Sequence, residues 1–122
     1  MIICDLPAAI DGDGIRCANV GEVHLLGIDA PEYRSSSPCR RGYRDRVCDD
    51  RAAARAKDNL RRGLSLGPVR LEPVTRDRYG RMIAVAYAGS TNLSCWQLRY
   101  RVARYVVHYD NGRRIARACP AR

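Results

Sequence analysis

The 122-residue sequence predicts an α+β domain in which short strands form a small, partly open β-barrel with helices packed around it. Three observations predict it. Apolar runs of strand length are separated by short Gly- and Asp-rich turns up to residue 29. Helical periodicity enters only after the third strand and again after the fifth. No linker or internal repeat divides the chain, so residues 1–122 are read as one domain.

Ile2 to Ile10 is apolar around Pro7, which confines it to an edge or bulged strand. Asp11-Gly12-Asp13-Gly14 is a tight turn, and Ile15 to Ala18 completes a hairpin. After a second turn, Val23 to Ile28 is the third strand. Tyr33 to Asp50 is polar, rich in Arg and Ser, and bracketed by Cys39 and Cys48. A long loop without structure of its own inside a small domain is usually functional or stapled. Asp49 or Asp50 caps a helix that runs through Arg62, with Ala53, Ala56 and Leu60 on one face and Gly63 as terminator. Val69 to Val74 and Met82 to Ala88 are the fourth and fifth strands. Asn92 or Thr91 caps a second helix carrying Leu93, Trp96 and Tyr100. Val102 to Tyr109 is β-prone, and a last short helix pairs Ile115 with Cys119 before Pro120 stops it.

Composition narrows the function. The formal charge is +9, and Lys57 is the only lysine among 22 basic residues. A compact basic domain attracts polyanions, nucleic acid first and an acidic membrane second. Arginine in particular suits bidentate phosphate contacts. No apolar run approaches the ~20 residues that span a bilayer. Without Phe, the core must rest on Val, Leu, Ile and Ala.

Six cysteines point to an oxidising compartment and three disulfides. No C-x-x-C occurs and only two histidines are present, which argues against zinc. Cys39–Cys48 is the firmest pairing. Cys4–Cys17 across the first hairpin and Cys95–Cys119 between the last two helices are further candidates, among about 15 connectivities that sequence leaves open. No basic–apolar–small leader opens the chain. The expectation is therefore a mature or trimmed form of a secreted or periplasmic protein.

The chemistry centres on Leu25-Leu26-Gly27-Ile28-Asp29-Ala30-Pro31-Glu32. Pro31 pushes Ala30 into extended geometry, so an apolar strand ends on a stiff turn that presents two carboxylates. Alone, such a turn is as readily an ordinary polar strand end. Asp11-Gly12-Asp13 adds acids on the first hairpin, and Asp77-Arg78-Tyr79-Gly80-Arg81 adds a basic turn with an aromatic ring.

Taken in order, D-G-D-x-I, L-L-G-I-D-A-P-E and D-R-Y-G-R-x-I-A resemble the staphylococcal nuclease (thermonuclease-like) family, from about Cys4 to Tyr109. The resemblance implies a five-stranded OB-type barrel with three helices and a calcium-dependent phosphodiesterase acting on DNA and/or RNA as a monomer. It implies Asp13, Asp29 and the Ala30 carbonyl as calcium ligands, and Glu32 as the group that orients or deprotonates water. Arg81 would stabilise the phosphate, with Arg78, Tyr79 and Tyr109 near the nucleotide.

Three positions depart from that pattern. His24 stands where the family usually carries a second catalytic arginine, Gly14 where it has threonine, and Val107 where a nucleotide-contacting tyrosine is often found. Arg16 is out of phase with Asp13 on its strand and is expected to point away from the site. Two functions remain: a nuclease attenuated at His24, and a relative that binds nucleic acid without cutting it.

Overall fold

The computed structural model describes residues 1–42 and 45–120. Among them are nine short strands: β1 (Ile2–Ile3), β2 (Ala8–Ala9), β3 (Gly14–Cys17), β4 (Gly21–Leu25), β5 (Ile28–Asp29), β6 (Val69–Arg76), β7 (Met82–Ala88), β8 (Thr91–Asn92) and β9 (Arg104–Tyr105). Four helices accompany them: α1 (Ser37–Arg40), α2 (Asp50–Leu64), α3 (Leu93–Arg99) and α4 (Arg114–Ala118).

The main sheet runs β1-β6-β7-β4-β3-β2, with β8 added beside β7. All its pairings are antiparallel except β4 with β7. Its two edge strands come from one segment, the expected first strand, divided at Leu6-Pro7. Pro7 cannot donate to a ladder, and Leu6 takes the left-handed conformation (φ 49°), so pairing breaks there. One half pairs with β6 and the other with β3. Because four residues join the two edges, the sheet must curl until they lie side by side. The Cys4–Cys17 disulfide ties that seam, and the Cys4 N–H donates to the Val69 carbonyl (2.9 Å), extending the β1–β6 ladder up to it. The result is a partly open OB-type barrel.

The expected third strand also divides. Gly27 turns with φ +80°, which ends β4 at Leu25 and re-aims β5. β5 then pairs with β9, placing Asp29 opposite Arg104. Of the β-prone stretch 102–109 only β9 is strand; Val107–Tyr109 is a 3-10 turn. The Arg/Ser-rich loop, expected to lack structure, carries the single-turn α1 and is closed by Cys39–Cys48. That closure is worth about 2–3 kcal/mol in chain entropy. Cys95–Cys119 links α3 to the end of α4.

Asp49 caps α2 by accepting from the Ala52 N–H (3.0 Å), and Asn92 caps α3 by accepting from Cys95 (3.2 Å). Gly63 is not the terminator of α2; it lies buried inside the helix. A Cβ there would sit 2.8 Å from the Trp96 ring, so the glycine serves the α2–α3 contact. The core is aliphatic, built on Ile15, Leu25, Leu26, Ile28, Leu60, Leu71, Leu93 and Ile115.

One polar network crosses this core. Gln97, fully buried on α3, donates to the carbonyls of Gly12 (2.7 Å) and Ala56 (2.8 Å) and accepts from Asn59 (2.6 Å). Gly12 itself has no room for a side chain; a Cβ would lie 2.4 Å from Ala56 Cβ and 2.6 Å from Ala30 Cβ. The Asp11–Gly14 turn is thus wedged between α2 and the D-A-P-E turn. Gln97→Leu strands two carbonyls and an amide, and should destabilise the fold by roughly 2–4 kcal/mol. Urea denaturation measures this, and a loss under about 1 kcal/mol would show that water satisfies those groups instead.

Candidate active site

Three carboxylates meet where the two turns touch. Asp13 sits just before β3, Asp29 ends β5, and Glu32 follows Pro31. One oxygen of each lies within 4.8 Å of the others, with Asp13 and Asp29 buried and Glu32 half-buried. Backbone bonds fix all three positions. Asp13 Oδ2 accepts from the Ala30 N–H (2.9 Å), and the Asp13 carbonyl accepts from Leu25 (2.9 Å). Glu32 exchanges hydrogen bonds with Val47 and Asp49 across the disulfide-closed loop (2.7 and 3.0 Å).

Crowding shows in the acidities. Burial and the charge of Asp13 raise both Asp29 and Glu32 above the usual carboxylate range, against the nearby arginines. Asp11 joins this group, although the sequence singled it out only as a turn residue. Its carboxylate fills the space beside Gly14, where a Cβ would come within 2.9 Å of Oδ1. Burial, then the charge of Asp13, push Asp11 up to about 7. The glycine that replaces a hydroxyl residue therefore makes room for an acid.

The cations around these acids come from four elements. His24, on β4 opposite Gly14, places Nε2 3.5 Å from Asp13 Oδ2 and Nδ1 3.1 Å from the Leu25 carbonyl. Both nitrogens face oxygen, so the imidazolium fits best. Burial opposes that charge, but the hydrogen bond and charge of Asp13 outweigh it and raise His24; Asp13 is drawn down to about 2. Arg16 pairs with Glu22 on the outer face (2.9 Å), as strand alternation predicts.

Arg81 follows the β6–β7 turn. Asp77 accepts there from the N–H groups of Tyr79 and Arg81 (both 2.9 Å) and from Arg81 Nε (2.6 Å). The guanidinium is thereby aimed, and its two terminal nitrogens have no hydrogen-bond partner among the described residues.

Two further arginines, neither of them singled out by sequence, hold Asp29. Arg104 donates through Nε (3.2 Å) and Nη2 (3.0 Å) to Oδ2, and Arg46 through Nη1 to Oδ1 (3.2 Å). Arg104 could not be foreseen without the β5–β9 pairing. Arg46 lies in the loop whose length and cysteines already marked it as functional or stapled.

A groove of about 480 Å³ is lined by His24 and Arg46, which pair with Asp13 and Asp29, and by Arg78, Tyr79, Arg81 and Tyr109, with Asp77 and Asp110 also on its walls. Tyr79 stands out into solvent, with the Arg78 guanidinium 5.3 Å from its ring centre. Of the sequence-derived candidates, Asp13, Asp29 and Glu32 form the acid cluster, His24, Arg78, Tyr79, Arg81 and Tyr109 line the groove, and Ala30 lies with Asp29 at a separate hollow. Val107 is exposed beyond it.

The site thus combines an acid cluster with an arginine- and tyrosine-lined groove on an OB-type barrel. The family of staphylococcal nuclease homologues matches residues 22–118, and the chain belongs to that family. No curated protein sequence matches the chain. The matched span begins after the Asp11–Gly14 turn, so it is the fold that adds Asp13 to the site. Membership makes the chain a nuclease or a nucleic-acid-binding module.

Donor chemistry fits a hard cation: three carboxylates, two buried, within mutual ligating reach, and no soft ligand. No helix among the described residues is long and apolar enough to cross a membrane.

The turn that aims Arg81 carries its own pH signature. Burial raises Asp77, but its bonds to Arg81 and Tyr79 prevail and hold it below the ordinary range. A depressed carboxylate contributes stability above its unfolded pKa of about 3.9 and loses it as pH falls through the lower, folded value. Asp77→Asn should therefore lower Tm at pH 7, and the gap to the native chain should close on acidification below pH 4. A gap independent of pH would mean that the carboxylate charge is not what holds the turn.

Proposed function

We propose that the chain is a calcium-dependent phosphodiesterase that cleaves DNA and/or RNA. The observation that carries this reading is the convergence of Asp13, Asp29 and Glu32, with Arg81 offering two guanidinium nitrogens that have no partner among the described residues. A module that only bound polyanions would gain nothing from buried acids, which weaken such binding.

Asp13, Asp29 and the Ala30 carbonyl would hold the calcium ion. Bound there, it would supply Lewis-acid stabilisation of the phosphate and offset the mutual repulsion of the acids. Glu32 is the base. Its raised acidity range brings it nearer neutrality, and its backbone ties to the loop fix its position. Water forms the new P–O bond as one ester P–O bond breaks; Glu32 takes the water proton, and the departing oxygen takes one from solvent. Arg81, held through Nε by Asp77, turns Nη1 and Nη2 to the non-bridging oxygens as charge builds on them. Arg78 would pair with a neighbouring phosphate, and Tyr79 and Tyr109 would receive bases by stacking. His24 has no fork to offer and both of its nitrogens are engaged, so it is not a bidentate phosphate donor.

That engagement is also what favours the second reading, a binding module of the same fold that no longer cuts. Three disulfides suggest an oxidising, extracellular or periplasmic environment. We place the protein among secreted or periplasmic monomers acting as one domain.

The native chain should cleave single-stranded DNA only with calcium present, and Asp29→Asn should abolish cleavage while leaving oligonucleotide binding within a fewfold. A calcium titration without cleavage would leave the binding module standing alone.

A further inference from the structure

We propose that Arg46 is a second phosphate-binding guanidinium, working across the groove from Arg81 in place of the fork that His24 cannot provide. This rests on the nuclease reading and identifies a further catalytic residue for it. Two arginines touch Asp29, but they face different ways. Arg104 uses two nitrogens on Oδ2, ties Nη2 to the Asp45 carbonyl (2.8 Å), and borders a separate hollow with Pro31 and Val47. Its Nε and Nη2 are spent on holding the loop to the barrel.

Arg46 is under-employed. Its one hydrogen bond among the described residues runs from Nη1 to Asp29 Oδ1 (3.2 Å). Its Nε is buried with no hydrogen-bond partner among the described residues, and Asp45 Oδ1 lies 3.9 Å from it. A buried unpaired donor is costly, so the side chain is not fully satisfied by the protein alone. The side chain lines the groove that also holds Arg81, Tyr79 and Tyr109.

The mounting is rigid enough for a catalytic group. Asp45 and Val47, its chain neighbours, are tied to Arg104 and Glu32, and Cys48 is disulfide-linked to Cys39. A guanidinium so placed, with Nη1 on Asp29, leaves Nη2 for a phosphate oxygen as a charge-assisted hydrogen bond. Two arginines on opposite walls would then bracket the scissile phosphate next to the acids.

The test uses the full chain with Arg46→Met and Arg46→Lys, each in native and His24→Arg backgrounds. Readouts are kcat/KM and the anisotropy of a fluorescein-labelled oligo-dT, both across a calcium titration. Arg46→Met should lower kcat/KM about 10²-fold, the worth of one transition-state donor, with Arg46→Lys falling less. Oligonucleotide binding should weaken about tenfold, as for one charge-assisted hydrogen bond. His24→Arg should recover most of the Arg46→Met loss, because either fork can serve.

Rates and binding within about twofold of native would overturn the proposal, as would a loss fully reversed by added calcium, which marks a counter-ion for Asp29 and nothing more. Should Arg46→Met fail to fold, Arg46→Lys decides, since it keeps a charge on Asp29. If the native chain does not cleave, the nuclease reading falls, and anisotropy decides Arg46 separately: tenfold weaker binding supports it, unchanged binding overturns it.

Discussion

Everything at the centre of this molecule answers to the repulsion among Asp13, Asp29 and Glu32, whose oxygens crowd within 4.8 Å of one another on a partly buried floor. Like charges at that separation do not stay together without compensation. The chain supplies it from four directions: His24 on Asp13, Arg104 and Arg46 on Asp29, and the Ala30 N–H on Asp13. Asp11 contributes differently, through a carboxyl raised to about 7 that relieves the cluster of part of a charge. The cluster is therefore stable as a set of pairs, and its members are poised between internal cations and whatever the groove admits.

Those pairs exist only because the barrel closes as it does. Asp13 and Asp29 belong to different turns, and the gap between them is set by Gly12, which permits contact with Ala30 and Ala56 at less than the distance any side chain allows. Gln97 then fastens the same turn to both long helices. The barrel seam at Leu6-Pro7 frees β2 to pair with β3 and carry that turn to the site. A structural glycine, a buried amide and a broken edge strand together position two carboxylates that sequence places 16 residues apart.

Much of this was legible from the residues. Gly/Asp turns marked the hairpins, Pro31 marked the end of the strand before the acids, and the cysteine positions suggested the three pairs that the structure contains. What stayed hidden depends on contacts between segments distant in sequence. Gly63 reads as a helix stop because glycine commonly is one; only the Trp96 ring against it explains a glycine inside the helix. The division of the third strand at Gly27 frees Asp29 to meet Arg104, 75 residues away. Asp11 looked like turn chemistry because nothing local reveals that Gly14 leaves it a pocket.

Arg46 illustrates a different limit. In a chain whose 22 basic residues are nearly all arginine, composition dilutes the signal of any single one. What separates Arg46 from the rest is the state of its donors. Arg16 is satisfied by Glu22 and Arg104 by Asp29 and Asp45, while Arg46 keeps a buried Nε without a partner. Only Ser36 Oγ and Arg46 Nε are buried without a partner among the described residues, and of the two Arg46 lines the groove, which is more informative than its charge. The loop thereby gains a reason for its length: its disulfide, its tie to Glu32 and its tie to Arg104 all serve to hold one guanidinium where strand β4 offers only an imidazole.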